Sequence, residues 1–293
     1  MPFHFADTAH SHGWVVLAPN AWDPERAVMQ RTHRLPSGRV VRLTLQSDDP
    51  SRPHFTATVH HDGSLPPDAA QRLRDAVAHM FRLDEDLSDF YALCTERGGR
   101  WAAVTEGRGR LLRSPTVFED VVKTICTTNI QWSGTKRMVQ GLVDAFGEPF
   151  PGDTRHRAFP TPEALAAVPR EAFADRVNLG YRAPYIHELA QRVDRGDLDL
   201  EALSDTDRPT AALKQTLLSI KGVGSYAAAT LLMLLGRYDE LAVDSVFRQF
   251  VSTRYFDGDT PSDAEAKAVY DDWGEWKYLA YWFDLWEGPD ESV

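Results

Sequence analysis

Along the first eighty residues, apolar and polar positions alternate with a period of two or pass through β-branched runs. The runs are Trp14 to Leu17, Ala27 to Thr32, Val40 to Gln46 and Phe55 to His60. In Val40-Val41-Arg42-Leu43-Thr44-Leu45 the alternation is clearest, and the preceding Leu35-Pro36-Ser37-Gly38 is turn chemistry. These runs predict an antiparallel sheet. After Pro66-Pro67 the period becomes helical, with Ala70, Leu73, Ala76, Val77, Met80 and Phe81 on one face, so one helix is expected to cover that sheet. From about Leu83 the signal is almost all helical. Ser114-Pro115-Thr116 opens a helix bearing Val117, Phe118, Val121, Val122 and Ile125. Others are expected near 133–146, 161–168, 170–177, 183–194, 208–219, 225–236, 245–254, 262–271 and 276–286. The expected class is α+β: an antiparallel β/α domain over 1–83 and a mostly helical body over 84–293.

A length of 293 residues suits two domains at ~150 residues each. Apolar residues at 43% and charged residues at 26% exclude disorder and collagen-like repetition. The 43 acidic and 32 basic residues leave a net charge of −11, which excludes coating nucleic acid through bulk charge but not a local basic or amide-lined patch. Two cysteines, Cys94 and Cys126, cannot build a disulfide framework or a four-cysteine zinc or iron–sulfur site within one chain. A reducing compartment is expected. The N-terminus lacks a charged segment leading into an apolar run, and nothing approaches ~18 uninterrupted apolar residues, so a cytoplasmic protein is expected.

The stretch richest in chemistry is Leu217-Leu218-Ser219-Ile220-Lys221-Gly222-Val223-Gly224-Ser225-Tyr226-Ala227-Ala228-Ala229-Thr230. A helix runs into Lys-Gly-Val-Gly, after which Ser225 is placed to cap a second, alanine-rich helix. Two glycines one residue apart allow a tight hairpin whose amides form an anion site at the helix start. An ordinary helix–turn–helix corner fits the same pattern, although the three alanines favour close helix packing. Further on, in Leu241-Ala242-Val243-Asp244-Ser245-Val246-Phe247-Arg248, Asp244 stands at the mouth of a helix. It can serve as an N-cap, or as a carboxylate that stabilises a cation or acts on water.

Gly222-Val223-Gly224 followed by Val243-Asp244 resembles the helix–hairpin–helix (about 208–236) and catalytic aspartate of the helix–hairpin–helix DNA glycosylase superfamily. Phe118-Glu119 through Ile125-Cys126-Thr127-Thr128-Asn129, and Leu179-Gly180-Tyr181-Arg182-Ala183-Pro184-Tyr185, resemble its 8-oxoguanine branch in order and spacing. Phe81-Arg82-Leu83-Asp84 and Arg110-Leu111-Leu112-Arg113 are similar too, so the resemblance spans nearly the whole chain. It implies an enzyme that flips a damaged nucleotide out of double-stranded DNA and cuts its N-glycosidic bond. Asp244 would stabilise the sugar cation or activate water. Asn129 would fill the vacated space, Tyr181 would wedge the stack, and Arg182 would read the orphan base. Lys221, Gly222, Val223, Gly224 and Ser225 would meet phosphate. The carbonyls of Leu218, Ile220 and Val223 would hold an optional monovalent or divalent cation. No other cofactor is implied, and two cysteines separate the chain from the iron–sulfur members.

The departures matter. Tyr226 stands where bifunctional 8-oxoguanine enzymes carry a nucleophilic lysine, and a phenol forms no Schiff base. An aromatic there resembles the monofunctional 3-methyladenine II type. Gly134 replaces an arginine that helps read the opposite cytosine. Counted from Trp273-Gly274, the base-pocket glutamine and phenylalanine fall on Tyr281 and Leu285, with Tyr278 and Trp282 on the same face. Asn20-Ala21-Trp22-Asp23 shows no equivalent of the glycine that senses 8-oxoguanine. The expectation is therefore a monofunctional, monomeric DNA glycosylase of base excision repair, nucleoid-associated in a prokaryote. It would act on a damaged, alkylated purine. An oxidised-purine glycosylase with weak or no lyase activity is the alternative within the class, and a non-catalytic DNA-damage-binding protein the alternative outside it.

Overall fold

The computed structural model describes residues 2–47, 54–205 and 207–285. Two compact units emerge, Met1–Glu85 with Glu106–Ala202, and Asp86–Thr105 with Leu203–Val293. In chain order the elements are α1 (Phe5–His10), β1 (Asn20–Asp23), β2 (Val28–Arg34), β3 (Val40–Gln46), β4 (Thr56–His60), α2 (Ala69–Phe81) and α3 (Ser88–Arg97). Then come α4 (Val117–Thr127), α5 (Trp132–Phe146), β5 (Pro149–Phe150), β6 (Asp153–Arg157), α6 (Pro162–Ala166), α7 (Arg170–Arg176) and α8 (Ala183–Asp194). The last are α9 (Thr210–Leu218), α10 (Ser225–Leu234), α11 (Ser245–Tyr255), α12 (Asp263–Ala268) and α13 (Lys277–Leu285).

In the first unit β1 to β4 form an antiparallel meander, as the alternation predicts. Val41, Leu43 and Leu45 turn inward from β3, opposite His33, Arg31 and Met29 of β2. Arg31 therefore enters the core, where an unpaired charge is costly. Glu119 of α4 meets it twice, at 3.0 and 2.6 Å, and also takes Lys123 at 2.7 Å. Burial opposes the Glu119 carboxylate, yet Arg31 and Lys123 outweigh it and hold its pKa at about 2. Asp120 accepts the Trp14 indole N–H and the Ser114 amide, at 2.8 and 2.9 Å. With Thr116 as its N-cap, α4 is thus a buried strut whose charged residues Glu119, Asp120 and Lys123 are paired, while the buried Thr124 hydroxyl has no partner. Its far end leads into the turn that carries Asn129.

The second unit is built around α10, whose residues 227 to 234 are all buried and which packs against α9. A helix apolar on every side belongs in a core. At its C-terminal end α13 is tied down by Asp284, which accepts from Arg100 at 2.7 Å, from the Tyr270 hydroxyl at 2.9 Å and from the Tyr255 hydroxyl.

Several local expectations are corrected. Trp14 to Leu17 is not a strand: Trp14–Val16 is a 3-10 turn started by Gly13 in the left-handed region, which aims Trp14 inward at Asp120. Asn20–Asp23, outside the predicted runs, is an edge strand. The helix α1 and the β5–β6 hairpin carry too few residues to show a period. Around 262–271 the helix stops at Ala268, and Gly274 at φ 57° breaks the chain before α13. Both cysteines are buried free thiols, and burial pushes their pKa values up to about 12. Among the described residues no helix is long and apolar enough to cross a membrane.

Candidate functional site

Two groups of side chains stand out, one in each unit. In the second unit α9 ends at Leu218, and the chain reverses through Ser219 to Gly224. The reversal is closed by Ile220 N–H to Leu217 O at 3.1 Å and by Val223 N–H to Ile220 O at 3.0 Å. Gly222 sits at φ 89°, a conformation that a side chain resists. Gly224 is different: its φ is −89°, and a Cβ built there meets no atom within 4 Å. Ser225 does not cap α10. Gly224 holds the N-cap position and no side chain bonds the first amides, so they face outward from an exposed turn, next to exposed Lys221. Of the three carbonyls implied in cation binding, that of Ile220 already accepts the turn's own hydrogen bond.

Asp244 is the N-cap of α11, its Oδ1 accepting the Phe247 amide at 2.8 Å. Its other oxygen has no hydrogen-bond partner among the described residues. Around this half-buried carboxylate stand Tyr226 of α10 and Tyr278 and Tyr281 of α13. Burial, then the negative Asp244, raises the pKa of Tyr226 and Tyr281. Burial first, then Tyr226, Tyr281 and Asp244, raises Tyr278 well above the usual phenol value. All three phenols therefore stay neutral. The Tyr278 and Tyr281 rings lie edge to face at 6.2 Å, and Trp282 stacks on Tyr278 at 6.4 Å. Phe247 braces Tyr281 from behind at 4.9 Å. Leu285 is half-buried one turn beyond Tyr281, and Trp286 lies outside the described residues.

In the first unit α4 ends in a turn that places Asn129 at φ 49°. Its side-chain amide donates to the Tyr181 hydroxyl at 3.3 Å, and that hydroxyl in turn contacts the Thr128 carbonyl at 3.4 Å. Tyr181 is 49% exposed, whereas Arg182 is only 5% exposed. The Arg182 guanidinium is bonded to the Thr128 carbonyl and lies 4.4 Å from the Tyr181 ring centroid. Asn129, Tyr181 and Arg182 are thus brought into one cluster, with Arg182 as its buried support rather than a surface cation. Lys136 and Arg137 are exposed on α5.

Residues 122–275 match the family described as HhH-GPD superfamily base excision DNA repair protein, just over half of the chain. The chain belongs to the HhH-GPD superfamily. Its hairpin and Asp244 both lie within the matched stretch. A curated relative, the probable N-glycosylase/DNA lyase of Methanothermobacter thermautotrophicus, is 25% identical over 55% of this chain and 57% of its own length, so the chain spans little more than half of that relative. A solved 3-methyladenine DNA-glycosylase from Archaeoglobus fulgidus superposes with a TM-score of 0.74 at 20% identity, covering 97% of this chain and 94% of the other. The 8-oxoguanine glycosylase/lyase of Clostridium acetobutylicum, solved with DNA containing cytosine opposite 8-oxoguanine, gives 0.65 at 18% identity, with 87% and 86% covered. An HhH-GPD fold with an N-terminal four-stranded sheet is thus present, and both lesion classes occur among its structural neighbours.

Sequence reasoning missed three members of these two groups, Phe247 in the second unit and Thr128 and Ile130 in the first. Phe247, one turn past Asp244, carried the i+3 signal of a capping turn. The Thr128 carbonyl, a main-chain group, leaves no trace in side-chain patterns. Ile130 is 42% exposed in an otherwise polar turn, and an isolated aliphatic residue there was the available sign.

Proposed function

We propose that this HhH-GPD protein is a monofunctional DNA glycosylase of base excision repair, hydrolysing the N-glycosidic bond of an alkylated purine. The carrying observation is the company Asp244 keeps: Tyr226 occupies the amine's position, and the nearby phenols are held neutral. No group at 226 attacks the sugar to form a Schiff base, so water is the nucleophile. As the bond from sugar C1′ to purine N9 breaks, its electron pair leaves with the base and positive charge builds on the sugar. The free oxygen of Asp244 stabilises that charge or takes the proton of the attacking water. An alkylated purine carries positive charge, which the faces of Tyr226, Tyr278, Tyr281 and Trp282 attract, and departure neutralises it. A deprotonated phenol is not needed, in keeping with the raised pKa values.

The uncapped start of α10 supplies amides for a backbone phosphate, with Lys221, Gly222, Val223, Gly224 and Ser225 as the contact stretch. Binding of this kind demands little net charge, which reconciles a total of −11 with a polyanionic partner. The Leu218, Ile220 and Val223 carbonyls are neutral oxygens suited to a hard cation; such an ion, where bound, adds positive charge beside that phosphate. Asn129 and Tyr181 enter the duplex at the vacated position. Arg182 supports them through Thr128.

Single-turnover base release from duplexes carrying one alkylated or one oxidised purine, with and without alkali, tests this reading. Alkali-dependent breaks at the alkylated purine are expected, and Asp244→Asn should slow release by about 100-fold or more. Unchanged release in Asp244→Asn refutes the mechanism. Preference for the oxidised purine refutes the substrate, and borohydride trapping of a covalent complex refutes monofunctional chemistry.

A further inference from the structure

Resting on the glycosylase reading above, we infer that Ile130 meets the base left opposite the lesion, by apolar contact alone, so that partner choice is not made through hydrogen bonds. Ile130 follows the left-handed Asn129 and keeps 42% of its surface exposed, in the turn that Tyr181 and Arg182 hold. The exposed part of this aliphatic side chain gains little for the fold, and a β-branched residue is stiff about χ1. Its position is further set by Gly134, the third residue of α5. A Cβ built on Gly134 falls 2.5 Å from both Cγ1 and Cδ1 of Ile130. Ile130 thus fills the space over Gly134, and no side chain at 134 can share it.

The neighbouring donors are engaged or enclosed. One Asn129 amide N–H donates to the Tyr181 hydroxyl, the Arg182 guanidinium is given to the Thr128 carbonyl inside the unit, and the Arg182 Nε, although without a partner, is buried. Arg137 is the exception, with a guanidinium nitrogen 3.8 Å from the same built Cβ. It lies on the exposed face of α5, where a long cation suits phosphate oxygens. What remains at the centre of the turn is an aliphatic surface. Contact of that kind is indifferent to the donor and acceptor pattern of a base, whereas a bidentate hydrogen-bonding side chain separates bases by roughly 5- to 150-fold.

The test is single-turnover release of one alkylated purine placed opposite each of the four bases, with every variant's rates divided by those of the native protein so that duplex stability cancels. Ile130→Ala should slow all four reactions by one common factor, leaving their ratios within about 3-fold of native, while Ile130→Asn should shift at least one ratio by about 10-fold. Melting temperatures of both variants should fall by no more than about 2–4 °C, since much of the side chain is exposed. Native rates in both variants would show that Ile130 touches nothing. A selective effect of Ile130→Ala, or a 10-fold ratio shift in Arg137→Ala, would show that partner choice is read elsewhere or by hydrogen bonds. Absence of release from every duplex by the native protein refutes the glycosylase reading itself, whereas release with unmoved ratios in Ile130→Asn refutes the role of Ile130 alone.

Discussion

The two glycines of the α9–α10 turn are alike in sequence and should part company when each is replaced by alanine. At Gly222 the backbone stands at φ 89°, where an L side chain costs about 1–2 kcal/mol. Against that stands a gain of about 0.4–1 kcal/mol from a less flexible unfolded chain. Gly222→Ala should therefore lose about 1 kcal/mol net and about 2–4 °C in Tm. At Gly224 the backbone is ordinary, at φ −89°, and the added methyl meets no protein atom within 4 Å. Gly224→Ala should keep or slightly raise stability, by up to about 1 kcal/mol, because only the unfolded-state gain remains. Gly224 is exposed and heads a helix whose first amides no side chain caps, so the added methyl should hinder a phosphate that approaches them. Calorimetry or far-UV melting measures the first effect, and titration of a fluorescent abasic duplex measures the second. The expected pattern is a stable Gly224→Ala protein with DNA affinity reduced by about tenfold, the scale of one lost charge-assisted contact. Native affinity in Gly224→Ala, or a Tm loss equal to that of Gly222→Ala, would defeat the idea that the glycine serves an external partner.

Acid should unfold the first unit early. His12 and His33 are held at about 4 and His79 at about 3, against an ordinary 6.5, by burial first and with nearby arginines adding to it. The unfolded chain binds these protons from pH 6.5 downward and the native chain does not, so stability is flat above about 6.5 and falls between there and about 4. Below about 4.5 the loss of Glu119, native pKa about 2, works in the same direction. Urea midpoints at about pH 7, 5.5 and 4.5 check this, and equal midpoints would contradict it. In the second unit, Asp284→Ala leaves the Tyr255 and Tyr270 hydroxyls without their carboxylate acceptor, while Arg100 keeps the main-chain carbonyls of Phe283 and Asp284. A loss of about 2–3 kcal/mol is expected by denaturant melting, and a loss below about 1 kcal/mol would show that water replaces the carboxylate.

Much of the fold was legible because long periodic segments carry their own signal. The β3 alternation, the α2 apolar face and the buried α4 and α10 each repeat over two or more turns or pleats. Short elements were not: Trp14–Val16 reads as a strand because its residues are β-formers, and only the left-handed Gly13 and the hydrogen bond to Asp120 make it a turn. Ser225 reads as a cap because serine caps helices, but the chain enters α10 one residue earlier, through Gly224. The placement of the candidate residues was legible for a different reason. Tyr226, Asp244 and the hairpin glycines are set by covalent neighbours, so spacing along the chain is nearly spacing in space.

What the chain by itself determines, then, is the sheet-then-helices order, the hairpin turn, and a carboxylate, Asp244, at the start of a helix. These follow from local periodicity and from residue types whose chemistry does not depend on the fold. Only the tertiary structure decides that Arg182 is a buried support, that α13 brings Tyr278 and Tyr281 to Asp244, and that Ile130 covers Gly134. Each of those depends on which surfaces close against each other, where burial sets whether a charge is spent inside, a phenol stays neutral or an aliphatic side chain is left facing water.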